Sequence, residues 1–476
     1  MEYKKSVLEP KITDNFGDKA LAKDALLYFC NSPLFYDNDN RYEENFYGRR
    51  IRPHVLKHIN FDEPLELKDM LSYSSFAANR ALFSMNDTSF LYLPTKGDLC
   101  YTDFNDFYDD KRLAAAGVAI PYLENYLFSF LNDEIKVSDN WNLKLVEDYF
   151  NDYINSMYDQ KTMDSAESIK NSIDKKNAAQ DWLLQLAPDF LIESSPMARY
   201  SSGNYGEMGS ALFRIIIDEL GYGDHKQRHS TLFEKTLESA GLNNVPHYYW
   251  QYYLNTSLLL ANYYNMITRN KRNIFRYIGA IFLAETSFIV SCKIWLDALK
   301  DALPNMFENY FKEHCHIDTH HSKTAFDDLV KPAIEKYGTT AAVEIVRGFE
   351  EARFLGELAE KDFADQIEWK DKASYYKNAH DIIFTKVKEG CSSGKVTVGR
   401  FVEPKGELSI THTHDNDELC HIVSGEMEFL NGFGKSTILK ANEGTIIKAN
   451  RLHGALIVSD ECEYEIYSIG DLNQWL

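Results

Sequence analysis

Residues 406–425 read GELSITHTHDNDELCHIVSG, and this stretch determines how the C-terminal part of the chain folds. His412 and His414 are one residue apart in a β-type run. Because successive residues of a strand point to opposite faces, both imidazoles lie on one face, which in a small barrel can be the interior. Two neutral imidazoles in an apolar interior are costly to leave unpaired, and a divalent metal satisfies both. The stretch therefore predicts a metal site inside a small β-barrel.

The spacing in this stretch is similar to the first metal-binding motif of the cupin family. The positions that match this motif are Gly406, His412, His414, Glu418 and Gly425. The second cupin motif is represented by Gly444 and His453, but Asn450 stands where a proline is expected, and the turn is two residues short. The departure weakens the second motif without removing its histidine.

The resulting prediction is a three-histidine site made by His412, His414 and His453. Glu418 is either a fourth ligand or a group that supports the ligands, and His421 is interpreted as structural. Histidine ligands with open coordination positions suit iron(II), while manganese and nickel stay open from the ligands alone. The competing interpretation is a cupin-shaped barrel that has lost its metal.

The predicted secondary structure changes near residue 380. Beyond it, short β-type runs alternate with glycine turns, from DIIFTKVKEG at 381–390 to EYEIYSIG at 463–470, which is typical of an antiparallel barrel. Before it, helical patterns dominate. We expect a multidomain chain with an all-α scaffold or dimerisation segment at 1–140, a helical bundle at 141–378 and an all-β domain at 379–476.

Composition excludes several classes of protein. With 72 acidic against 51 basic residues, the chain would repel a phosphate backbone, so nucleic acid is not an expected partner. The 7 cysteines include no CxxC pair, which argues against disulfides and thiolate zinc sites. The N-terminus does not resemble a signal peptide, and no run approaches the roughly 18 uncharged apolar residues of a membrane span. A cytoplasmic protein is expected.

A second metal candidate lies in EHCHIDTHHS, residues 313–322. If this stretch is helical, His314, Asp318 and His321 share one face, while His316 and His320 share another. The first set is favoured because it includes a carboxylate, which a redox-active iron pair needs to balance its charge. The alternative is a solvated, histidine-rich helix.

Carboxylates for the same site come from other helices. Glu285 is the lone acid in the apolar run IFRYIGAIFLAETSFIVSC, and a buried lone carboxylate requires a cation. Glu219 ends the run ALFRIIIDE, and His229 follows after a glycine break. Asp218 and His225 form a competing pair that we expect to be solvated.

The combination Glu219, His229, Glu285 and His314-x3-Asp318-x2-His321 resembles the ligand pattern of the heme-oxygenase-like diiron oxidases. The order of helical segment, diiron domain and cupin resembles, over essentially the whole chain, the N-nitrosourea-forming metalloenzymes of the streptozotocin-pathway type. By position within LIESSPMARY, Glu193 matches an additional carboxylate ligand of these enzymes.

This resemblance implies an oxygenase with two iron(II) ions in the helical domain and one in the cupin, with dioxygen as co-substrate. The diiron site would hydroxylate the guanidine of an N-omega-methyl-L-arginine-like substrate, and the cupin iron would rearrange the product to an N-nitrosourea. A homodimer is implied, and an external electron donor is compatible with this chemistry. Two alternatives stay open: a diiron N-oxygenase that acts on another amine or amino acid without N–N bond formation, and a non-enzymatic cupin sensor.

Overall fold

A computed structural model describes residues 18–36, 40–45, 47–94, 98–203 and 206–476 of the chain. Residues 1–17, which carry most of the N-terminal stretch that does not resemble a signal peptide, lie outside the described residues. Asp18 caps the first helix, because its carboxylate accepts hydrogen bonds from the backbone N–H groups of Ala20 and Leu21.

Helices occupy most of the chain before residue 393. The N-terminal helices are α1 (Lys19–Cys30), α2 (Pro53–Leu56), α3 (Tyr73–Asp87), α4 (Asp98–Phe107), α5 (Asp110–Phe128) and α6 (Leu131–Glu134). The next helices are α7 (Leu143–Asp159), α8 (Asp164–Asn171), α9 (Lys175–Phe190), α10 (Ser195–Ala198), α11 (Glu207–Glu219), α12 (His229–Ser239) and α13 (Asn255–Arg269). The last are α14 (Ile274–Ala302), α15 (Asn309–Thr324), α16 (Lys331–Tyr337), α17 (Thr339–Asp371) and α18 (Ala373–Ser392).

One apolar core joins the N-terminal helices to the helices that follow them. One buried cluster includes residues of α1, α3 and α5 as well as residues of α9, α13, α14 and α17. Between α3 and α13, buried asparagines are also hydrogen-bonded: the Asn79 amide donates to Asn255 Oδ1 at 2.8 Å, and the Asn262 amide donates to the Asn79 carbonyl at 3.0 Å. The domain boundary at residue 140 stays a prediction, and the core crosses it.

The long helix α14 is the centre of the helical body. With the turn before it (residues 271–302), it is long and apolar enough to cross a membrane by composition alone, but 67% of the apolar window is buried inside the protein. It packs on α17 at two glycines. An added Cβ would lie 1.8 Å from the Ile345 carbonyl oxygen at Gly279, and 1.9 Å from the Arg276 carbonyl oxygen at Gly348. These glycines let the two backbones touch.

The C-terminal domain consists of two four-stranded antiparallel sheets, in the orders β1-β8-β3-β6 and β2-β7-β4-β5. The strands are β1 (Thr397–Pro404), β2 (Leu408–His412), β3 (Asp417–Ser424), β4 (Glu426–Leu430), β5 (Ser436–Lys440), β6 (Gly444–Ile447), β7 (His453–Ile457) and β8 (Glu461–Gly470). In the register of β2 with β7, His412 lies opposite His453. The pairing therefore brings together histidines that are far apart in the sequence.

The expected strand DIIFTKVKEG is wrong, because residues 381–390 belong to the helix α18. Its β-branched residues suggested a strand, but Ile383, Val387 and Gly390 are buried at the spacing of one helix face. Ile383 and Val387 pack against Leu419 and Ile446 of the β domain. The helix covers one sheet of that domain.

The unusual second cupin motif has a structural reason at Asn450. This residue has a φ of 62°, in the left-handed region, and its backbone N–H donates to the His414 carbonyl at 2.7 Å. Proline has a fixed negative φ and no N–H, so it could do neither. The asparagine turn links the loop that carries His414 to the strand that carries His453.

The β domain is fixed to both groups of helices. From the N-terminal part, Arg80 donates to the Thr411 carbonyl at 2.9 Å and Arg52 donates to the Ile410 carbonyl at 2.9 Å. From α17, Asp362 pairs with Arg451 at 3.1 Å. The strand that carries His412 is therefore held by helices from outside its own domain.

We predict that Gly348→Ala lowers the stability of the protein by about 2–3 kcal/mol or more, because the added methyl would overlap the α14 backbone. Thermal and chemical denaturation measure this effect. The control is Gly117→Ala in α5, where an added Cβ has nothing within 4 Å. Higher helix propensity should leave that variant unchanged or stabilise it by up to about 1 kcal/mol. Equal stability of the two variants would contradict the close packing of α14 on α17.

Candidate metal centres

The α15 helix presents a buried face and an exposed face, as the spacing of its histidines predicts. His314, Asp318 and His321 are 2%, 1% and 3% exposed. His316 and His320 are exposed to solvent. The buried face points at the ends of α9 and α11 and at the middle of α14, where further acids are found.

A first cluster of ligand atoms is formed by Glu193, Glu219, His229 and His314, whose atoms lie within 4.8 Å of one another. His314 Nδ1 contacts the Tyr310 carbonyl at 2.9 Å, and its Nε2 lies 3.1 Å from Glu193 Oε1. The Tyr310 hydroxyl donates to the same Glu193 oxygen at 2.9 Å. The carbonyl contact assigns the Nδ1 proton and leaves Nε2 of His314 as the ligand atom.

A second cluster is formed by Glu219, Glu285 and His321. Nδ1 of His321 lies 3.1 Å from Glu285 Oε2, 3.4 Å from Glu219 Oε1 and 3.7 Å from Asp318 Oδ1. Asp318 therefore borders this cluster through its neighbour on the same helix face. The elements that supply the cluster are α11, α14 and α15.

Glu219 belongs to both clusters, with one oxygen in each. Its Oε2 lies 2.6 Å from His229 Nδ1, and its Oε1 lies on the His321 side. A carboxylate that offers one oxygen to each of two adjacent sets of ligands is arranged as the bridge of a dinuclear metal site. The shared glutamate distinguishes this arrangement from two independent sites.

Buried polar atoms at this site lack hydrogen-bond partners, which tests whether the residues suit a metal. Among the described residues, no hydrogen bond is made by Glu193 Oε2 or by either carboxylate oxygen of Asp318. Glu219 Oε2 and His229 Nδ1 have only each other as partners, at 2.6 Å. Unpartnered buried carboxylates are costly unless a cation satisfies them. The donor set therefore fits a pair of divalent cations, with four carboxylates to balance their charge.

The same excess of acids raises the pKa values of the histidines in the helical site. Burial opposes the protonation of His321, but Asp318 and Glu285 outweigh it and raise its pKa to about 12. Burial likewise opposes the charge of His314 and His229, while Glu193 and Glu219 respectively keep each pKa above its ordinary value. Burial raises the pKa of Asp318 to about 8. Without metal, this site holds protons at neutral pH.

Asp218 is a residue that the sequence interpretation missed. It was expected to be solvated, but its side chain is only 17% exposed and its Oδ2 lies 3.1 Å from His321 Nε2. The carboxylate contacts the ring nitrogen opposite the one that faces Glu219 and Glu285. Sequence spacing does not identify Asp218 as part of the site. Asp218 and Glu219 are adjacent in the last turn of α11, and both contact His321 because this turn lies beside α15. His225, the other member of the expected solvated pair, is exposed.

In the β domain, the three predicted histidines meet. Ligand atoms of His412, His414 and His453 lie within 4.8 Å of one another. Nδ1 of His412 contacts the Ile410 carbonyl at 2.8 Å, and Nδ1 of His453 contacts the Arg451 carbonyl at 2.9 Å. Both contacts assign the proton to Nδ1 and leave Nε2 as the ligand atom.

Glu418 lies beside this cluster. Its Oε2 is 2.6 Å from His414 Nδ1, and it does not join the three-histidine group. His421 stands apart, with its Nδ1 3.1 Å from His380 Nε2 and its ring stacked on Phe384. The structure therefore separates His421 from the three histidines and places Glu418 next to one of them.

The pKa values in the β domain are shifted in the opposite direction. Burial and the nearby Arg52 guanidinium hold the pKa of His412 well below its ordinary value. Burial and the neighbouring His414 do the same for the pKa of His453. Since metal ligation requires neutral imidazole, these two rings are ready for a metal at neutral pH.

Comparisons with known proteins identify the class of the chain. Residues 180–356 match a family model described as iron-containing redox enzyme, and this range contains every predicted ligand of the helical site. The chain is therefore an iron-containing redox enzyme with a C-terminal cupin, and the expected order of helical body and β domain is confirmed. A nitrosourea synthase from Streptomyces achromogenes subsp. streptozoticus is 43% identical over 459 residues, 95% of this chain and 96% of that protein. The chain belongs to the nitrosourea synthase family.

Two solved structures are similar to a smaller part of the chain. An RmlC-like cupin with a double-stranded β-helix fold from Methanocaldococcus jannaschii is 20% identical and covers 17% of this chain and 73% of its own, with a TM-score of 0.15. KdgF from Halomonas sp. is 18% identical and covers 17% of this chain and 74% of its own, with a TM-score of 0.14.

We predict that metal binding at the helical site releases more protons than binding at the cupin. The raised pKa values of His314, His321 and Asp318 mean that ligation displaces protons there, so affinity should rise with pH between about pH 6 and pH 8. Calorimetry in buffers of different ionisation enthalpy measures the release. His414→Ala isolates the helical site and His321→Ala isolates the cupin. Equal proton release at the two sites would contradict the prediction.

Proposed function

We propose that the chain is a two-site iron enzyme that makes an N-nitrosourea. The helical site would hydroxylate two guanidine nitrogens of an N-omega-methyl-L-arginine-like amino acid with dioxygen. The cupin site would then use a further dioxygen to rearrange the hydroxylated product oxidatively, joining two nitrogens and releasing water. The observation that carries the proposal is Glu219 with one oxygen in each of two ligand clusters. The relative named nitrosourea synthase supports the identity of the product.

At the helical site, the residues proposed to hold two iron(II) ions are Glu193, Glu219, His229, Glu285, His314, Asp318 and His321. Two dications balance the four carboxylates in this set. When bound, the iron pair supplies two-electron activation of dioxygen. The task of the chain is to fix the ligands: Tyr310 holds both Glu193 and His314, and Asp218 contacts the outer nitrogen of His321.

At the cupin site, the residues proposed to hold the third iron are His412, His414 and His453. We propose that Glu418 acts on the metal through His414, since it contacts the Nδ1 of that ring. A three-histidine iron leaves coordination positions for the hydroxylated substrate and dioxygen. The N-terminal helices border this site, with the Tyr73 ring 5.6 Å from the His412 ring.

The alternative function is N-hydroxylation without N–N bond formation, on this or another amine. The observation in its favour is the shortened second cupin motif around Asn450. The pairing of His412 with His453 across β2 and β7 outweighs it, because all three histidines still converge. Because the chain belongs to an enzyme family, the alternative of a non-enzymatic cupin sensor is excluded.

Partners and location belong to the same proposal. Each hydroxylation places one oxygen atom of dioxygen in an N–O bond and reduces the other to water, which requires two electrons and two protons. The two hydroxylations together therefore require four electrons and four protons. We therefore propose an external electron donor. A homodimer formed through the N-terminal helices, a cytoplasmic location and a free amino acid as the substrate complete the proposal.

Product analysis of single-site variants tests this order of reactions. We predict that the wild type with iron, dioxygen, a reductant and N-omega-methyl-L-arginine yields the N-nitroso product. His414→Ala should accumulate the hydroxylated guanidine, and His321→Ala should leave the substrate unchanged, with each blocked step reduced by at least about 100-fold. Mass analysis distinguishes the three species.

The matched control is His320→Ala, on the exposed face of the same helix. Its products should equal those of the wild type. If His414→Ala still gives the nitroso product, the cupin has no part in N–N bond formation. If the wild type leaves the arginine derivative untouched, the proposed substrate is wrong.

We also predict that Glu219→Ala removes most of the iron from the helical site, because both metal positions lose a ligand. Iron content should fall from about three to about one per chain, with the remaining iron in the cupin. Elemental analysis after anaerobic loading and desalting measures it. Loss of only one iron would indicate that Glu219 serves a single metal.

A further inference from the structure

A cavity of about 480 Å³ opens beside the helical metal site. Glu193, Glu219, Glu285 and His314 lie in its wall, so a molecule in the cavity reaches the predicted ligands. The remaining walls come from α7, α8, α9, α13, α14 and α17 and include large apolar side chains such as Phe190 and Phe288. This volume is in the range of small-molecule sites.

Four further acids line this cavity. One of them, Asp164, is exposed to solvent, and two others are already engaged within the chain. Glu357 pairs with Arg353 at 2.6 Å. Glu360 accepts a hydrogen bond from the Ser165 backbone N–H at 2.8 Å. Arg353 thus neutralises Glu357. Glu360 has a donor at Oε2, while its Oε1 is buried without a hydrogen-bond partner among the described residues.

Asp189 is the fourth acid, and it has no such partner. Among the described residues, none donates a hydrogen bond to its carboxylate or forms an ion pair with it. Burial and the negative charge of Glu193 raise the pKa of the Asp189 carboxyl group to about 7. A carboxylate that faces an apolar cavity without a partner requires a cation from outside the chain.

We propose that Asp189 is a specificity-determining residue that binds the cationic guanidinium group of the substrate in this cavity. This inference rests on the proposed function. A planar guanidinium can donate two parallel hydrogen bonds to one carboxylate, which orients the group as well as neutralising it. Asp189 lies four residues before Glu193 and shares the cavity wall with it. The carboxylate therefore holds the reacting nitrogens beside the metal ligands.

The test compares a charged ligand with its uncharged counterpart. N-omega-methyl-L-arginine and N-omega-methyl-L-citrulline, in which a neutral urea replaces the guanidinium, are titrated into anaerobic iron-loaded protein. A His414→Ala background keeps the cupin free of iron. We expect Asp189→Asn to weaken binding of the arginine derivative by about 10- to 100-fold and to change binding of the citrulline derivative by less than about 3-fold.

Two matched variants support the reading of this result. Asp189→Glu keeps the charge and should retain the preference for the cationic ligand. Glu357→Gln removes a carboxylate from the same cavity that Arg353 already neutralises, and should bind both ligands as the wild type does. Iron content shows that each variant retains the folded metal site.

The outcomes separate this inference from the proposed function. If Asp189→Asn binds both ligands as the wild type does, or loses both equally, Asp189 does not recognise the cation. If wild-type protein binds the arginine derivative through Asp189 but forms no N-hydroxylated product in air with a reductant, the assignment of Asp189 stands and the proposed function fails. If product forms with the wild-type KM in Asp189→Asn, the function stands and the inference fails.

Discussion

The structure depends on a buried excess of negative charge around Glu219. Four predicted carboxylate ligands converge in the interior of a helical body, and several of their oxygens lack hydrogen-bond partners among the described residues. Such an arrangement is costly for a protein alone. It becomes favourable when two divalent cations take the place of the protons that the site otherwise binds. The oxygens of Glu219 point to both positions.

The fold holds these charges on separate elements. α11 ends at Glu219, α14 carries Glu285 in an otherwise apolar run, and α15 carries His314, Asp318 and His321 on one face. The position of α14 is set in turn by its backbone contact with α17 through Gly279 and Gly348. The same α17 extends to the β domain, where Asp362 binds Arg451. One helix thus positions α14, which carries Glu285 of the proposed diiron site, and also anchors the cupin.

Much of this could be predicted from the sequence because ligands on one element have regular spacing. The i, i+4, i+7 pattern identified the buried face of α15, and the HxH spacing identified His412 and His414. Glu285 was visible as a lone acid in an apolar helix. Each of these patterns lies within a single helix or strand, so it can be recognised without knowing the tertiary contacts.

The features that sequence reasoning missed depend on tertiary contacts. Asp218 appeared to be a solvated neighbour of Glu219, and only the approach of α15 places it against His321. Residues 381–390 contain β-branched side chains, yet packing against the β domain stabilises them as a helix. Asp189 gave no signal at all, because its character comes from a cavity that several helices enclose.

Anomalous diffraction from crystals loaded anaerobically with iron would test the central claim most directly. The account predicts two peaks in the helical body, one on each side of Glu219 and each next to one oxygen of its carboxylate, and a third peak between His412, His414 and His453. A single peak in the helical body, or two peaks that share no Glu219 contact, would contradict the bridged site on which the proposed chemistry rests.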